Sequence, residues 1–233
     1  MSITQMSCVN AVQPGVPTVV SRTGERSVRH VKTLNAGMTI FREGDTANSI
    51  YQLDSGVARL SKTVPDGRRQ VLGFLFVGDF FTPSGFAMST YDQAICTADA
   101  VTEITFACQP LDKLDALLSD QPRLARYMLA AAGHELFKLQ QQMLLLGRMS
   151  AIERVVWFLL RMKEQQSAEG DASIQLPMSR LDIADYLGLR IETVSRTLRY
   201  LRDHCIIKLN GKAEVSIIDS AKLHVISGGI RTD

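Results

Sequence analysis

The sequence predicts an α+β chain: a β-barrel of the jelly-roll (double-stranded β-helix) type, one long dimerisation helix, and a C-terminal winged helix-turn-helix. Three observations predict it. Between residues 34 and 110, turn residues recur every 10–12 positions between short apolar runs. From residue 122, apolar residues follow a strict alternation of spacings of 4 and 3. After residue 179, two short helical patterns meet at a glycine, and an Asn-Gly pair follows between two apolar runs.

Residues 1–25 hold two prolines, small polar residues and little periodicity, and are expected to form a flexible extension. The barrel is expected over 26–118. Its turns are marked by Gly37, Glu43-Gly44-Asp45, Asp54-Ser55-Gly56, Pro65-Asp66-Gly67 and Gly78-Asp79. Ile50-Tyr51-Gln52-Leu53 and Gln70-Val71-Leu72-Gly73-Phe74 read as strands, and Pro65-Asp66-Gly67 as a hairpin turn. Helix resumes near Leu111, and a long helix is expected over 122–148. Within it Ala125, Leu129, Ala132, Leu136, Leu139, Met143 and Leu146 recur as the a and d positions of a two-stranded coiled-coil seam. The plainer alternative is a helix packed on its own barrel, but so regular a seam calls for a straight partner, hence a homodimer.

The last domain is expected over 150–233. Ser150 to Lys163 reads as a helix with Trp157, Phe158 and Leu160 in the core, and Gln165 to Ser173 as a polar loop around Gly170. Ser179 has N-cap chemistry, with Asp182 three residues on. The helix Asp182-Ile-Ala-Asp-Tyr-Leu187 ends at Gly188, and a second begins at Ile191. Ile206-Ile-Lys-Leu209, Asn210-Gly211 and Val215-Ser-Ile-Ile218 form a hairpin, the wing.

Glu192 and Arg196 stand four apart on one face of that second helix. A carboxylate accepts from cytosine N4, and a guanidinium donates twice to guanine O6 and N7. At the start of a recognition helix such a pair reads DNA. The plainer alternative is a surface i,i+4 ion pair; the turn before it and the wing after it favour DNA. Residues 180–212 carry seven basic groups against four acidic ones. Arg180, Arg190, Thr193, Arg199, Lys208 and Lys212 are the phosphate candidates.

Composition excludes several other classes. The whole chain has 233 residues, 45% of them hydrophobic, and a net charge of +2, too small to argue for nucleic acid by itself. Cys8, Cys96, Cys108 and Cys205 are scattered without a C-x-x-C, which argues against structural zinc or a disulfide framework. No apolar run suits a membrane span and no signal peptide is evident, so a cytoplasmic protein with no membrane partner is expected. Residues 34–110 contain no histidine, which disfavours a metal-dependent cupin enzyme. Cys205, just after the recognition helix, is a candidate redox thiol; the plainer alternative is a small residue buried between helix and wing.

The three parts in this order resemble the CRP/FNR superfamily of bacterial transcription regulators, over about residues 30–220. Gly37-Met-Thr-Ile-Phe-Arg-Glu-Gly-Asp45 is similar to the first turn of that family's cyclic-nucleotide-binding-type barrel, and Gly56 and Gly78-Asp79 fall at its later glycines. Leu176 to Leu189 and Glu192-Thr-Val-Ser-Arg196 look most like the FixK branch. Ile191 stands where the cyclic-AMP branch has its first reading arginine, and Ser195 precedes Arg196 as in FNR and FixK proteins.

The resemblance implies an activator that binds a palindrome of TTGAT or TTGAC half-sites, contacts RNA polymerase, and serves low-oxygen or nitrogen-metabolism genes. Arg196 would meet guanine, Glu192 the complementary cytosine, and Ser195 or Ile191 a thymine. Arg190 departs from the small hydroxyl residue that often caps this helix, a loss of about 1 kcal/mol. In the stretch Tyr91-Asp92-Gln93-Ala94-Ile95-Cys96, Asp92 takes the place of the arginine that holds a cyclic nucleotide's phosphate, so cyclic AMP is not expected. Cys8 alone cannot supply the N-terminal cysteine group of an iron–sulfur cluster. No cofactor is expected. A ligand- or haem-sensing regulator is the alternative, with His30, His134, His204 and His224 as possible haem ligands. Ser179 occupies the place of the FixK-type redox cysteine.

Overall fold

The computed structural model describes residues 30–85, 92–120, 122–166, 173–211 and 213–227. The extension expected at 1–25, Cys8, Tyr91, Gly170 and Lys212 lie outside the described residues.

Eight strands come first: β1 (His30–Leu34), β2 (Thr39–Phe41), β3 (Ser49–Ser55), β4 (Ala58–Thr63), β5 (Arg69–Leu75), β6 (Phe80–Phe81), β7 (Thr97–Ala100) and β8 (Ile104–Pro110). They form two antiparallel sheets of orders β1-β8-β3-β6 and β2-β7-β4-β5. Inward residues of both sheets share one core of Leu53, Ile104 and Phe106 from one sheet and Ala58, Ala98 and Ala100 from the other. Rings fill its remaining width: Tyr51 lies 5.6 Å from Phe41 and 5.2 Å from Phe81, centroid to centroid. The turns form where glycine permits positive φ. At Gly56 (φ +79°) a side chain would also run into the Glu103 carbonyl, so that turn needs glycine on two counts.

A short helix α1 (Leu114–Asp120) leads to α2 (Pro122–Arg148), 27 residues long. Proline fits the first turn because its missing N–H is not needed there. The two faces of α2 differ. Leu124, Met128 and Leu145 are buried, the first two with Ile50, Phe80 and Leu114 against the barrel. The opposite face lies open. Leu129 is 76% exposed, Met143 75% and Leu136 60%, and Leu139 and Leu146 are exposed too. Ala125 and Ala132 on this face are half-buried. The helix therefore packs on its own barrel and still presents an apolar stripe.

After a break at Met149-Ser150 comes α3 (Ala151–Gln166), with Trp157, Phe158 and Leu160 buried. The polar stretch after it ends in a strand that sequence reading did not assign, β9 (Ser173–Gln175). Helices α4 (Arg180–Leu187) and α5 (Ile191–Asp203) follow, then the wing strands β10 (Ile207–Asn210) and β11 (Glu214–Ile217), then a last helix α6 (Ser220–Ile226). β9 adds to β11, giving a sheet of order β10-β11-β9. The barrel and this domain share apolar contacts. Phe74 of β5 packs 6.2 Å from Phe158 and 5.5 Å from Tyr186, ring centre to ring centre.

Candidate nucleic-acid interface

The site begins with the turn between α4 and α5. Ser179 caps α4, accepting from the Asp182 N–H at 3.1 Å, while Asp182 accepts from the Ser179 N–H at 3.0 Å. Gly188 ends α4 in the left-handed conformation (φ 61°), which glycine adopts without strain. Arg154, which sequence reading missed, braces this corner. It donates to the carbonyls of Leu187 at 2.9 Å, Leu146 at 3.0 Å and Met149 at 3.0 Å, joining the ends of α2 and α4.

Helix α5 buries Val194, Thr197, Leu198 and Leu201 against α3 and α4. That burial turns Ile191, Glu192, Ser195, Arg196 and Arg199 outward, all exposed, with Thr193 half-buried at the edge. The structure thus brings the four base-reading candidates to one open face. Among the described residues Glu192 and Arg196 form no ion pair, with each other or with any other group, so the plain surface-pair alternative does not describe them.

The phosphate candidates are placed unevenly. Arg190 and Arg199 flank the open face. Lys208 is exposed on β10 opposite Ser216, behind a wing tip whose Gly211 has φ +75°. The wing is pinned by Asn210, which donates to Ser216 Oγ at 2.8 Å. Arg180 is half-buried at the start of α4, and burial pulls its guanidinium below its usual range. Lys212 is outside the described residues.

Arg190 sits at the N-cap of α5 in extended conformation (φ −83°, ψ 148°) without a side-chain cap. Arg190→Ser should restore one and raise stability by about 1 kcal/mol, measured by urea unfolding. If Arg190 holds a phosphate, the same variant weakens DNA binding uniformly across sequences.

Cys205 is exposed, not buried between helix and wing, and adopts φ 54°. Its neighbour His204 packs on Tyr200 in a tilted arrangement, 4.0 Å between ring centres. Cys96 is buried in the barrel, and burial pushes its thiol up to about 11. Asp92 is exposed, and its carbonyl accepts from the Ala47 N–H at 2.9 Å. Among the described residues no cluster of histidine, cysteine, aspartate and glutamate suits a metal ion. No helix there is long and apolar enough to cross a membrane.

Comparison with known proteins agrees with this layout. Residues 31–121 match a model of the cyclic nucleotide-binding domain, and residues 153–226 a model of the Crp-like helix-turn-helix domain. The chain is 40% identical over 198 residues to the nitrogen fixation regulation protein FixK of Bradyrhizobium diazoefficiens, covering 83% of this chain and 80% of that protein. It is 36% identical over 205 residues to the transcriptional activator protein FnrA of Stutzerimonas stutzeri, covering 87% and 82% respectively. Among solved structures, FixK2 from Bradyrhizobium japonicum superposes with a TM-score of 0.76 at 32% identity, over 85% of this chain and 97% of that one.

Proposed function

We propose that this chain, which belongs to the CRP/FNR family of transcription regulators, binds a palindrome of TTGAT or TTGAC half-sites as a homodimer, without cyclic AMP, and activates low-oxygen or nitrogen-metabolism genes. The observation that carries this reading is the open face of α5. Glu192, Ser195 and Arg196 stand exposed there, and neither Glu192 nor Arg196 is neutralised by an ion pair among the described residues. Arg196 would donate to guanine O6 and N7, Glu192 accept from cytosine N4, and Ser195 and Ile191 lie against thymine. Arg190, Thr193, Arg199, Lys208 and Lys212 would hold phosphates, with Arg180 joining them from its half-buried place.

The exposed stripe of α2 supports the homodimer. Leu129, Leu136, Leu139, Met143 and Leu146 are too many apolar groups in one line to be left in water. Pairing them from two chains, with Ala125 and Ala132 where the helices approach most closely, would place the two α5 helices about 34 Å apart, one turn of DNA. A surface of the barrel would then contact RNA polymerase. Independence from cyclic AMP is supported by the exposed Asp92 carboxylate and by rings packed across the barrel core.

The test is a fluorescence-anisotropy titration at one fixed salt concentration. A duplex with the TTGAT-type palindrome is compared with one carrying the cyclic-AMP-type palindrome, each with and without cyclic AMP. Tight ligand-free binding to the first duplex alone is the expected result. Binding only with cyclic AMP, or preference for the second duplex, overturns it.

A further inference from the structure

The barrel and the helix-turn-helix are joined by more than α2. Arg59 of β4 divides its guanidinium: Nη2 pairs with Asp99 of β7 at 3.1 Å, and Nη1 pairs with Asp182 of α4. Arg69 at the start of β5 reaches two carboxylates, with Nη2 at 2.7 Å from Asp182 and 2.6 Å from Asp185. Its Nε donates to Asp185 at 2.8 Å as well, onto the same oxygen, Oδ2, that Nη2 approaches.

The acceptor at the centre is committed on both oxygens. Asp182 gives Oδ2 to the α4 cap, from the Ser179 N–H and hydroxyl, and Oδ1 to both guanidinium groups. It is only 5% exposed. A carboxylate so far from water is held in place by its partners, because each partner lost leaves its buried charge less well compensated. Burial alone would push its pKa up, but the Ser179 bonds and the two arginines outweigh this and hold it below the usual carboxylate range. Asp182 therefore stays ionised at neutral pH, and what it contributes to stability is lost only as pH falls through that lowered value.

The only covalent link between barrel and DNA-reading unit runs through the non-helical break at Met149-Ser150. Across that break the angle is held by the Arg154 brace, by the Phe74 contacts and by these ion pairs from the barrel. We propose that Arg59 and Arg69 are positioning residues for DNA binding. From the barrel they hold Asp182 and Asp185 of α4, and so fix the direction in which each α5 is presented and the separation of the two in the pair. None of Ile191, Glu192, Ser195 and Arg196 takes part in the clamp, so a clamped protomer keeps its reading face open. The inference rests on the homodimeric reading of a palindrome.

The experiment uses full-length protein and two duplexes, the TTGAT-type palindrome and the same duplex with one half-site scrambled. Arg69→Glu is compared with wild type and with the charge swap Arg69→Glu/Asp185→Arg. A group that only stabilises the fold would lower binding to both duplexes alike. A positioning group matters where two helices must land together. Arg69→Glu should weaken palindrome binding by about tenfold, leave the single-half-site duplex near wild type, and recover most of the loss in the swap. Equal binding by Arg69→Glu and wild type, an equal loss on both duplexes, or tighter palindrome binding overturns the clamp. A wild-type protein with no preference for the palindrome overturns instead the reading on which it rests.

Discussion

Arg196→Ala is expected to weaken binding to the TTGAT-type palindrome by about 30-fold to twenty-thousandfold. The range comes from about 1–3 kcal/mol for each bidentate arginine–guanine pair, taken twice in a symmetric dimer. Arg196 is exposed and makes no ion pair among the described residues, so its loss costs the fold little, and circular dichroism should be unchanged. Anisotropy should also show a change in kind. Wild type should discriminate against a duplex in which the guanine of each half-site is replaced, while Arg196→Ala should bind both duplexes alike. Undiminished discrimination in the variant would remove Arg196 from the reading set.

The second large effect is expected at the seam. Leu136→Glu should convert a dimer into a folded monomer, seen as a halved mass in sedimentation velocity. Each buried leucine contributes roughly 1.5–3 kcal/mol, and the substitution removes two per dimer while setting two carboxylates against each other. The dimer dissociation constant should therefore rise by at least about a hundredfold. Leu136 is 60% exposed in the protomer, so the single chain should keep its fold and thermal transition. Palindrome affinity should fall with the dimer, because a monomer reaches one half-site only. A variant that stays dimeric would move the interface off this face of α2.

The parts legible from sequence are those written in local patterns. Gly37, Gly44, Gly56, Gly67 and Gly78 all sit at positive φ, where turns between short strands had been expected. The wing was legible because Asn210-Gly211 marks a hairpin between two apolar runs, although Asn210 itself closes β10 opposite Glu214 and the turn starts at Gly211; α5 was legible because its apolar and polar residues separate at helical period. Strand β9 was not, since Ser173-Ile174-Gln175 is too short and polar to signal a strand, and its order comes from β11 alongside it. Helix α6, capped by Asp219, is not assigned by the sequence reading either. For Cys205 the residue type suggested burial, but the left-handed turn that ends α5 lifts it into solvent.

Of the candidate site, the reading face was legible and its supports were not. Arg59 and Asp182 are 123 residues apart, and Arg69 and Asp185 are 116 apart. No periodicity links such pairs. Arg69 follows a hairpin turn beside Arg68, where a basic pair reads as ordinary solvated surface. Arg154 likewise looks like a polar-face residue of α3, and its three carbonyl partners meet only once α2 and α4 have converged.

The open stripe on α2 has a consequence for dose. If that face is covered by a second copy, as proposed, the reading unit is the pair, and pairs accumulate as the square of the concentration while most chains are single. Promoter occupancy would then climb more steeply than the amount of protein. Doubling the supply in that regime yields nearly four times as many competent pairs. A regulator that takes no small-molecule cue would in this way gain a threshold from mass action alone, with its rate of synthesis as the input.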